Sequence, residues 1–452
     1  MEFKVKKGFD VGLAGKPATR ITDLAPAPTV AVYPLEFAGM KQRLLVTEGD
    51  AVRQGAILME DKAREAFKLR APAGGQVTSI TRGARRFVEE IVIAVDPNAE
   101  QERFEAFAAA AIQGLERTVI LDQLMTTGYL SLIRQRPFSH MADPAAQPKS
   151  IFINAMNTGP FQADAEVVTA EDPTAFQAGI DLLTRLTDGE VHLCVGATAG
   201  ETLSGAQRVT LHRFEGPHPA GNTSVHISRI DPMCSSDTVW TVKAIDLVSI
   251  GRLFLDGTLP ATRIICLGGP NVKPEAQQHY RLRTGGALEP LFSAALTAGD
   301  QRIIAGDVLS GTTIQADSHL RFMQSAITVI PASEERYFMG WTMPGLKRMS
   351  FSRLFASTWL PGKKDRPLGT HMHGEERALV LTGHYDKVMP LNILVDYLLR
   401  AVLAGDTDEM IALGILETDP EDFALCDVIC PSKLELQEII ARGLRQIEEE
   451  GI

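Results

Sequence analysis

The sequence predicts a multi-domain α/β protein: a small closed β unit, an open parallel sheet, a small mixed unit and a helical end. Three observations support this. Short apolar runs separated by Gly and Pro turns fill residues 44–95, strand-like and helix-like runs alternate from Ser150, and residues 375–452 show helical spacing. With 452 residues the chain is too long for one ordinary core. We expect units at 1–97, 98–258, 259–332 and 333–452.

The first unit begins with an irregular segment, residues 1–43, that is rich in Gly and Pro. Four short apolar runs then predict strands at Arg43–Val46, Ala56–Met59, Gln76–Ile80 and Ile91–Val95. Gly49 and Gly75 lie in the intervening turns, where glycine adopts a positive φ without steric cost. The pattern resembles the barrel-sandwich hybrid of biotinyl and lipoyl carrier domains.

One lysine of this unit lies in a setting that carrier domains also use. Those carriers place a modifiable lysine at a hairpin tip in the sequence Asp-Lys-Ala, and this chain has Asp61-Lys62-Ala63. Lys62 is therefore a candidate lipoyl attachment point. The alternative is an ordinary solvated lysine in a charged loop, and the mass of the intact chain distinguishes the two.

The second unit is predicted to begin with helices and continue as a covered parallel sheet. Asn98–Leu115 and Val119–Arg134 are the two predicted helices, and the second is stopped by Pro137. Asp172 followed by Pro173 predicts a further helix start. The later elements are expected as strands at Ile151–Ala155, Val191–Val195, Val209–Phe214 and Ser224–Ile230, and helices at Pro173–Leu186 and Val242–Leu255.

The loops at the carboxyl ends of the first two parallel strands are where a nucleotide would bind in a doubly wound sheet. They read AMNTGP at Ala155–Pro160 and GATAG at Gly196–Gly200. Neither is a glycine-rich dinucleotide loop or a Walker loop, so we expect turns there and no dinucleotide. No nucleophile elbow occurs either, which removes support for hydrolase chemistry. His218 lies in a rigid Pro/Gly loop that suits either a contact surface or a fixed turn.

The third unit is predicted to pack three strands around one helix. The strands are Arg263–Leu267, Gln301–Ala305 and Ile327–Ile330, and the helix is Leu288–Leu296. Residues 334–367 are aromatic and basic with no clear period. The C-terminal helices are expected at Leu391–Ala404, Thr407–Leu413, Asp419–Cys426 and Leu434–Glu449.

Composition excludes several classes of function. The net charge is −11 and no basic run exceeds a few residues, which disfavours nucleic acid. The apolar stretch Leu391–Ala404 carries Asp396 and Arg400 and is too short to cross a bilayer. The first ten residues lack the apolar stretch of a signal peptide. Five scattered cysteines do not form a disulfide framework, so a cytoplasmic setting is expected.

Several long strings along the chain carry a more specific resemblance. They are Lys4–Asp10, Gly15–Pro17, Phe214–Gly221, Arg263–Pro270, Arg302–Gly311, His373–Ala378, Val388–Leu391, Gly405–Asp408 and Cys426–Lys433. Together they resemble the A-subunit family of bacterial sodium-translocating NADH:quinone oxidoreductases, over essentially the whole chain. The order of units is also similar to the large soluble subunit of Rnf complexes and to the NADH-binding flavoprotein subunit of respiratory complex I.

The resemblance implies one of six subunits of a membrane complex that passes electrons from NADH to ubiquinone and pumps sodium ions. The chain would be the peripheral member on the cytoplasmic side of the bacterial inner membrane, held by other subunits, chiefly the large membrane subunit. It would bind no flavin or iron–sulfur cluster, and the isolated chain would not be catalytic. The second unit would be Rossmann-like, and the third would be a β-grasp (SLBB) domain that binds soluble ligands in related proteins.

The residues agree with the expected absence of a cluster or metal. A four-iron cluster needs four thiolates, and only Cys426 and Cys430 lie near each other in the sequence. His371 and His373 with the following glutamates offer zinc-type ligands, but their spacing is not that of a zinc protease motif. We therefore predict no metal site and interpret the histidines as part of a polar loop.

A quinone needs an apolar slot and one or two hydrogen-bond donors. Tyr33, Phe37 and Met40 form one candidate group, and Phe138 and His140 form the other. Both groups could equally serve packing between domains or docking of the membrane subunit, and we favour those roles over quinone contact.

The leading hypothesis is a scaffold subunit without a redox centre that docks on a membrane partner and would cover, shape or contribute to a quinone site. The first alternative is an Rnf-type flavoprotein that binds FMN or NAD, and the second is a lipoyl-type carrier acting through Lys62.

Overall fold

The computed structural model describes residues 1–332, 339–346, 348–359 and 365–451. The strands of these residues are β1 Glu2–Lys4, β2 Ala18–Asp23, β3 Thr29–Val32, β4 Gln42–Leu44, β5 Ala51–Val52, β6 Ile57–Asp61, β7 Lys68–Arg70, β8 Gly75–Arg82, β9 Val88–Val95, β10 Arg134–Arg136, β11 His140–Met141, β12 Ser150–Asn154, β13 Val191–Gly196, β14 Thr210–Glu215, β15 Val239–Lys243, β16 Thr262–Gly268, β17 Gln278–Arg283, β18 Gln301–Ala305, β19 Thr312–Ile314 and β20 Ala326–Pro331.

The helices of the same residues are α1 Ala109–Ile112, α2 Arg117–Thr127, α3 Ala165–Ala170, α4 Pro173–Leu183, α5 Glu201–Ser204, α6 Thr223–Ile230, α7 Ala244–Asp256, α8 Glu289–Ala295, α9 Val395–Ala404, α10 Thr407–Ala412, α11 Ala424–Ile429 and α12 Leu436–Glu450. Among them, none combines the length and the hydropathy that a membrane span requires.

The first unit consists of two small antiparallel sheets that face each other. Their strand orders are β3-β9-β8-β5 and β4-β6-β7. Leu58, Ile91 and Ile93 are fully buried between the sheets, because alternate residues of a strand point to one face. This is the predicted barrel-sandwich hybrid, and all four strands expected from the sequence are present.

The second unit is built on a seven-stranded sheet with the order β1-β14-β13-β12-β15-β10-β11. Strands β1, β14, β13, β12 and β15 run parallel, whereas β10 and β11 are antiparallel. Successive residues of β12 serve different cores: Ile151 and Ile153 join the large cluster shared with α4 and α7, and Phe152 joins the cluster shared with the C-terminal helices. Both faces of the sheet are therefore covered, as predicted for a Rossmann-like unit.

The interpretation of residues 1–43 as irregular is wrong in part, because this segment supplies strands to three sheets. β1 pairs with β14 of the seven-stranded sheet, β2 pairs with β17 in the third unit, and β3 belongs to the first unit. The N-terminal segment thus ties three units together. Its strands are short and edge-forming, which leaves little local signal in the sequence.

The predicted helix at Asn98–Leu115 is also wrong, since only α1 is helical within it. The backbone of this segment instead pairs with the end of α7: the Phe104 amide donates to the Gly257 carbonyl (2.7 Å) and the Phe107 amide to the Phe254 carbonyl (2.8 Å). The next helix, α2, ends before Gly128, which adopts a left-handed φ of 81°. The predicted continuation of that helix to Arg134 is therefore incorrect.

A strand predicted at Ser224–Ile230 is helix α6, and strand β15 was missed. The first five of these seven residues alternate polar and apolar side chains, and so short a run fits either element. Asn222 occupies the position before the first helical residue, where asparagine is favoured. The predictions of β12, β13, β14, α4 and α7 are confirmed within a few residues at each end.

The third unit is a six-stranded sheet with the order β19-β18-β20-β16-β17-β2. Helix α8 packs on it through Leu291 and Phe292, whose core also contains Ile265 and Ile327. The three predicted strands and the helix are confirmed, while β17 and β19 were missed. A small mixed sheet with one helix is the expected β-grasp arrangement.

The four C-terminal helices pack on the Phe152 face of the seven-stranded sheet. Their core contains Tyr385, Leu398, Phe423 and Ile440. The helix predicted at Asp419–Cys426 divides into a 3-10 turn, Pro420–Phe423, followed by α11. Of the aromatic and basic segment predicted to lack periodicity, residues 334–338, 347 and 360–364 lie outside the described residues.

The N-terminus of α4 has the predicted cap. The Asp172 carboxylate accepts from the Ala175 amide at 3.0 Å, and Pro173 is the first helical residue. The same carboxylate pairs with Arg252 of α7, with Nε at 2.7 Å from Oδ2. One side chain therefore both caps α4 and joins it to the neighbouring helix.

Candidate functional site

An aromatic cleft lies where the first, second and third units meet. It is partly open to solvent. Its walls come from the end of β3 and the following turn, from β7, from the residues after α2 and from a loop of the third unit. The lining side chains used below are Tyr33, Glu36, Phe37, Arg70, Tyr129 and Phe322.

The sequence forms one wall of this cleft through a local turn. Pro34 opens a 3-10 turn directly after Tyr33, and the Phe37 amide donates back to the Pro34 carbonyl at 3.2 Å. Proline fixes φ at the start of such a turn. Tyr33 and Phe37 are thereby held on the same rim of the cleft, as expected for members of the first predicted group of quinone candidates.

Aromatic rings line the inner part of the cleft. The Phe322 ring lies 5.7 Å from Phe37 and 5.4 Å, edge-on, from Tyr129, measured between centroids. Phe37 also contacts Phe67 at 6.0 Å. Rings in these arrangements attract one another by about 0.5–1.5 kcal/mol per pair beyond burial. A flat ring entering the cleft would find the same kind of surface.

The polar groups of the cleft differ in whether they are already paired. The Tyr33 hydroxyl accepts from the His319 amide at 3.1 Å. The Glu36 carboxylate accepts from the Phe322 and Met323 amides at 3.0 and 3.2 Å, and burial raises its pKa. Both groups therefore hold the third unit against the first.

Tyr129 is different. Its side chain is only 4% exposed, burial raises the pKa of its hydroxyl, and within the described residues that hydroxyl has no hydrogen-bond partner. The Tyr129 hydroxyl is not one of the fully enclosed polar atoms that lack a partner, so it reaches the cleft, where an acceptor could take the place of solvent. The sequence analysis missed Tyr129 and Phe322. The available indication was Gly128, which ends α2 and turns Tyr129 inward.

A fixed cation borders the cleft. Arg70 donates to the Gly55 carbonyl (2.6 Å) and pairs with Glu102 (2.8 Å), and its guanidinium lies 4.8 Å from the centroid of the Phe104 ring. Burial lowers the pKa of Arg70, with Glu102 opposing that effect. The guanidinium is therefore held in place and charged at neutral pH.

The remaining predicted candidates lie elsewhere. Met40 packs partly buried against the core of the first unit and does not line the cleft. Phe138 and His140 follow β10, where their rings stack at 6.2 Å and His140 Nε2 contacts the Glu448 carboxylate at 2.8 Å. Phe138 also packs on the core of the C-terminal helices. The structure thus divides the two groups between the cleft and a junction between units.

That junction also contains a buried ion pair. Arg136 Nη1 lies 3.2 Å from the Asp419 carboxylate and 3.1 Å from the Thr418 carbonyl. Ser139 donates to the same carboxylate. Such contacts fit packing of the C-terminal helices onto the sheet, the alternative that the sequence left open for this group.

A second, polar cavity lies at the carboxyl ends of β12 and β15. Here the strand order reverses, which is the usual ligand position of such sheets. The first three residues of the AMNTGP loop, Ala155–Asn157, line this cavity together with His218, Lys243, Asp307 and Glu421. The Asp307 carboxylate opposes a phosphate and Lys243 favours one. Burial, followed by the nearby Asp419 and Asp422, raises the pKa of Glu421 to about 7, which reduces its charge near neutral pH. The second predicted loop, Gly196–Gly200, does not line this cavity.

The other predicted candidates are placed as follows. Lys62 is exposed after β6, where Asp61 Oδ1 accepts from the Ala63 amide at 2.9 Å. Cys426 is buried, which raises its pKa, and Cys430 contacts the Tyr385 hydroxyl at 3.1 Å. The rings of His371 and His373 stack at 4.4 Å. Throughout the described ranges no cluster of three or more His, Cys, Asp or Glu is arranged to hold a metal ion.

Comparisons with known proteins match the architecture unit by unit. Residues 3–96 match the NqrA N-terminal barrel-sandwich hybrid domain, residues 115–259 the NqrA second alpha/beta domain, and residues 264–316 the NQRA C-terminal domain of SLBB type. The fold class predicted from the sequence is therefore confirmed. The chain is also similar, at 15% identity and a TM-score of 0.38, to an NAD+-reducing [NiFe]-hydrogenase structure, covering 78% of this chain and 67% of that one.

Curated relatives match over the full length. The Na(+)-translocating NADH-quinone reductase A-subunit of Yersinia pestis bv. Antiqua (strain Angola) is 41% identical over 449 residues, covering 99% of this chain and 100% of the relative. The corresponding A-subunit of Klebsiella pneumoniae (strain 342) is 39% identical over 451 residues, with the same coverage. The chain therefore belongs to the A-subunit family of the Na(+)-translocating NADH-quinone reductases.

Proposed function

We propose that this chain is the peripheral, cytoplasmic-side subunit of a bacterial inner-membrane complex that couples electron transfer from NADH to ubiquinone with sodium export. In this proposal it works as a scaffold that docks chiefly on the large membrane subunit. It holds no redox centre, and its aromatic cleft contacts the quinone headgroup. The names of its full-length relatives support the assignment to the complex.

The observation that carries the quinone contact is the hydroxyl of Tyr129, which lies in an aromatic cleft and has no hydrogen-bond partner among the residues that the structure describes. A quinone headgroup is flat and presents two carbonyl acceptors. Phe37 and Phe322 provide ring surfaces, and the Tyr129 hydroxyl provides a donor in the same cavity. A small-molecule site is usually a mainly apolar pocket into which a few polar groups point. The partial opening to solvent leaves room for a tail to leave the cleft.

Changing Tyr129 to Phe tests this contact, because it removes the donor and keeps the ring. We expect the dissociation constant for a short-chain ubiquinone to rise about fivefold, since one neutral hydrogen bond contributes about 1 kcal/mol. The measurement is a quinone titration of the assembled complex and of the chain alone.

Tyr397→Phe is the matched control, because it deletes the same hydroxyl from an exposed position on α9 (55% exposed). We expect it to leave quinone affinity unchanged. Equal affinities for Tyr129→Phe and the wild type would reject the contact. So would a quinone photoprobe that labels no residue of the cleft in the assembled complex.

The absence of a redox centre from this chain is a separate part of the proposal. The strand-end cavity supports it in part: the Asp307 carboxylate in its lining would repel the phosphate of a flavin nucleotide, although Lys243 in the same lining would attract it. The purified full-length chain should therefore be colourless, with no flavin or iron–sulfur absorption and no stoichiometric iron. A yellow or brown protein with bound flavin or iron would favour the flavoprotein alternative instead.

A further inference from the structure

The strand-end cavity, the polar cavity at the carboxyl ends of β12 and β15, is lined by residues of three units. The second unit supplies most of the lining, the third unit contributes Asp307, and the C-terminal unit contributes Glu421. The cavity is partly open to solvent, and it shares no lining residue with the aromatic cleft. A small molecule bound here would contact three units at once, independently of any quinone.

Lys243 gives one part of the cavity a positive charge. It precedes the first residue of the 13-residue helix α7, and within the described residues its ammonium group forms no ion pair or hydrogen bond. Helix α7 has no side-chain cap, and Asp246, the acid of its first turn, is paired with Arg263. The partial positive charge at the start of the helix therefore adds to that of Lys243.

Glu421 compensates this positive charge only in part. Burial and neighbouring acidic residues raise the pKa of Glu421 to about 7, and attraction by Lys243 opposes that rise only weakly. At neutral pH the carboxyl group of Glu421 is therefore partly protonated. An anionic group of a ligand would be attracted to this part of the cavity.

Asp307 gives a second part of the cavity the opposite charge. Asp307 is 4% exposed, and its Oδ1 accepts from the amides of Leu309 and Ser310 at 2.7 and 3.0 Å. Its Oδ2 accepts from Gln162 Nε2 at 2.7 Å. These contacts fix the orientation of the carboxylate, and the described structure places no cationic side chain in an ion pair with it. A cationic group of a ligand would be attracted here.

His218 adds a hydrogen-bond donor to the lining. It is 7% exposed, and its Nδ1 contacts the Thr158 hydroxyl at 3.1 Å. Because Thr158 Oγ1 already accepts from the Gly221 amide at 2.9 Å, this arrangement favours donation from Thr158 to Nδ1, with the ring proton of His218 on Nε2. Burial lowers the pKa of His218, which keeps the ring neutral. Nε2 has no partner in the described part of the chain and is not fully enclosed, so it reaches the cavity.

We propose that the strand-end cavity binds a small zwitterionic amino acid. Its carboxylate would contact Lys243 and the start of α7, and its ammonium group would contact Asp307. A phosphate ester gains from Lys243 but is repelled by Asp307, and a simple amine gains from Asp307 but is repelled by Lys243. A ligand with both charges satisfies both residues, and His218 Nε2 can donate to a third polar group.

The test is isothermal titration calorimetry of the full-length chain at neutral pH, without quinone, with glycine, L-alanine and L-serine as probes. Two comparators each lack one charged group of serine: 3-hydroxypropanoate lacks the ammonium group, and ethanolamine lacks the carboxylate. We expect at least one amino acid to bind, and both comparators to bind about tenfold more weakly than serine, because each loses a charge-assisted hydrogen bond. No binding of any of the three amino acids overturns the proposal. Tighter binding of 3-hydroxypropanoate or inorganic phosphate than of serine overturns it as well.

Two variants remove the charges of the site one at a time. Lys243→Met deletes the ammonium group of an exposed side chain, and Asp307→Asn deletes the negative charge. Each should weaken amino-acid binding about tenfold. The matched control is Lys62→Met, which deletes an exposed ammonium group in the first unit and should bind like the wild type. Thermal unfolding midpoints without ligand verify that the variants fold. Undiminished binding by Lys243→Met, or an equal loss in Lys62→Met, would refute a site at Lys243.

Discussion

Changing Gly251 to Ala is expected to lower the free energy of unfolding by about 3 kcal/mol. Gly251 lies within α7, and a Cβ at this position would come within 1.8 Å of the Ala175 carbonyl oxygen in α4. At Gly179 of α4, a Cβ would lie 2.7 Å from the Leu247 carbonyl oxygen. Backbone oxygens cannot rotate away as side chains can, so the two helices must separate. That separation would open the core on one face of the central sheet.

The sign of this effect is diagnostic, because helix propensity alone would make Gly251→Ala stabilising by about 1 kcal/mol. Urea unfolding of the full chain measures the change. Gly196→Ala is the matched control: Gly196 is the last residue of β13 and its Cβ would meet no atom within 4 Å. It should change stability by less than about 0.5 kcal/mol. A stabilised Gly251→Ala protein would show that α4 and α7 do not pack this closely.

Elements with strong local signals were predictable from the sequence. Asp172 and Pro173 mark the start of α4 because capping and fixed φ act within a few residues. The runs at β12 and β13 are apolar throughout, as expected for strands covered on both faces. Helices α4 and α7, which pack against these strands, were also predicted, because their apolar spacing repeats over enough residues to indicate a helix.

Elements defined by distant partners were not predictable. Strands β1 and β2 exist because β14 and β17 offer them sheet edges from far along the chain. Residues 98–108 lose their expected helix because α7 and Gly257 accept their amide hydrogen bonds. In each case a tertiary hydrogen bond overrides a weak local preference. The sequence contains no short-range pattern that reports such pairing.

The same distinction applies to the cleft. Tyr33 and Phe37 could be selected because an aromatic pair flanks a proline turn within one short segment. Tyr129 and Phe322 reach the cleft from the second and third units, so only the assembled fold joins them to that pair. Phe138 and His140 had the right chemistry but belong to the junction with the C-terminal helices. Residue type selects candidates, and topology decides which of them meet.

Buried titratable groups of the second and C-terminal units change the free energy of unfolding in opposite directions as the pH falls. Burial lowers the pKa of His212 to about 4 and that of His226 to about 3. Burial raises the pKa of Asp427 to about 6 and also raises that of Glu421. These groups belong to units that share one hydrophobic core, so their titrations affect the same unfolding event. The free energy of unfolding of the wild-type protein should therefore vary less with pH than the histidines alone or the carboxyl groups alone would cause.

His212→Phe separates the two effects. A base whose pKa is lower in the folded state stabilises the fold above its unfolded pKa, near 6.5, and loses that contribution as the pH falls toward its folded pKa. Between pH 7 and pH 4.5 the wild type should therefore lose about 2 kcal/mol through His212. Phenylalanine keeps a ring in this site, where His212 faces His192 at 3.1 Å between Nε2 and Nδ1 and lies 6.0 Å from the Phe3 ring.

The measurement is the free energy of unfolding of wild type and His212→Phe at pH 7 and pH 4.5. Relative to the wild type, the variant should gain about 2 kcal/mol on acidification, whatever its stability at pH 7.

Asp427→Asn provides the opposite comparison: the pKa of Asp427 is raised, so the wild type gains stability as the pH falls through about 6, and this variant cannot. It should become about 2 kcal/mol less stable than the wild type over the same interval. Parallel pH profiles for all three proteins would mean that the pKa values of His212 and Asp427 do not differ between the folded and unfolded chains, which would contradict the burial of these groups.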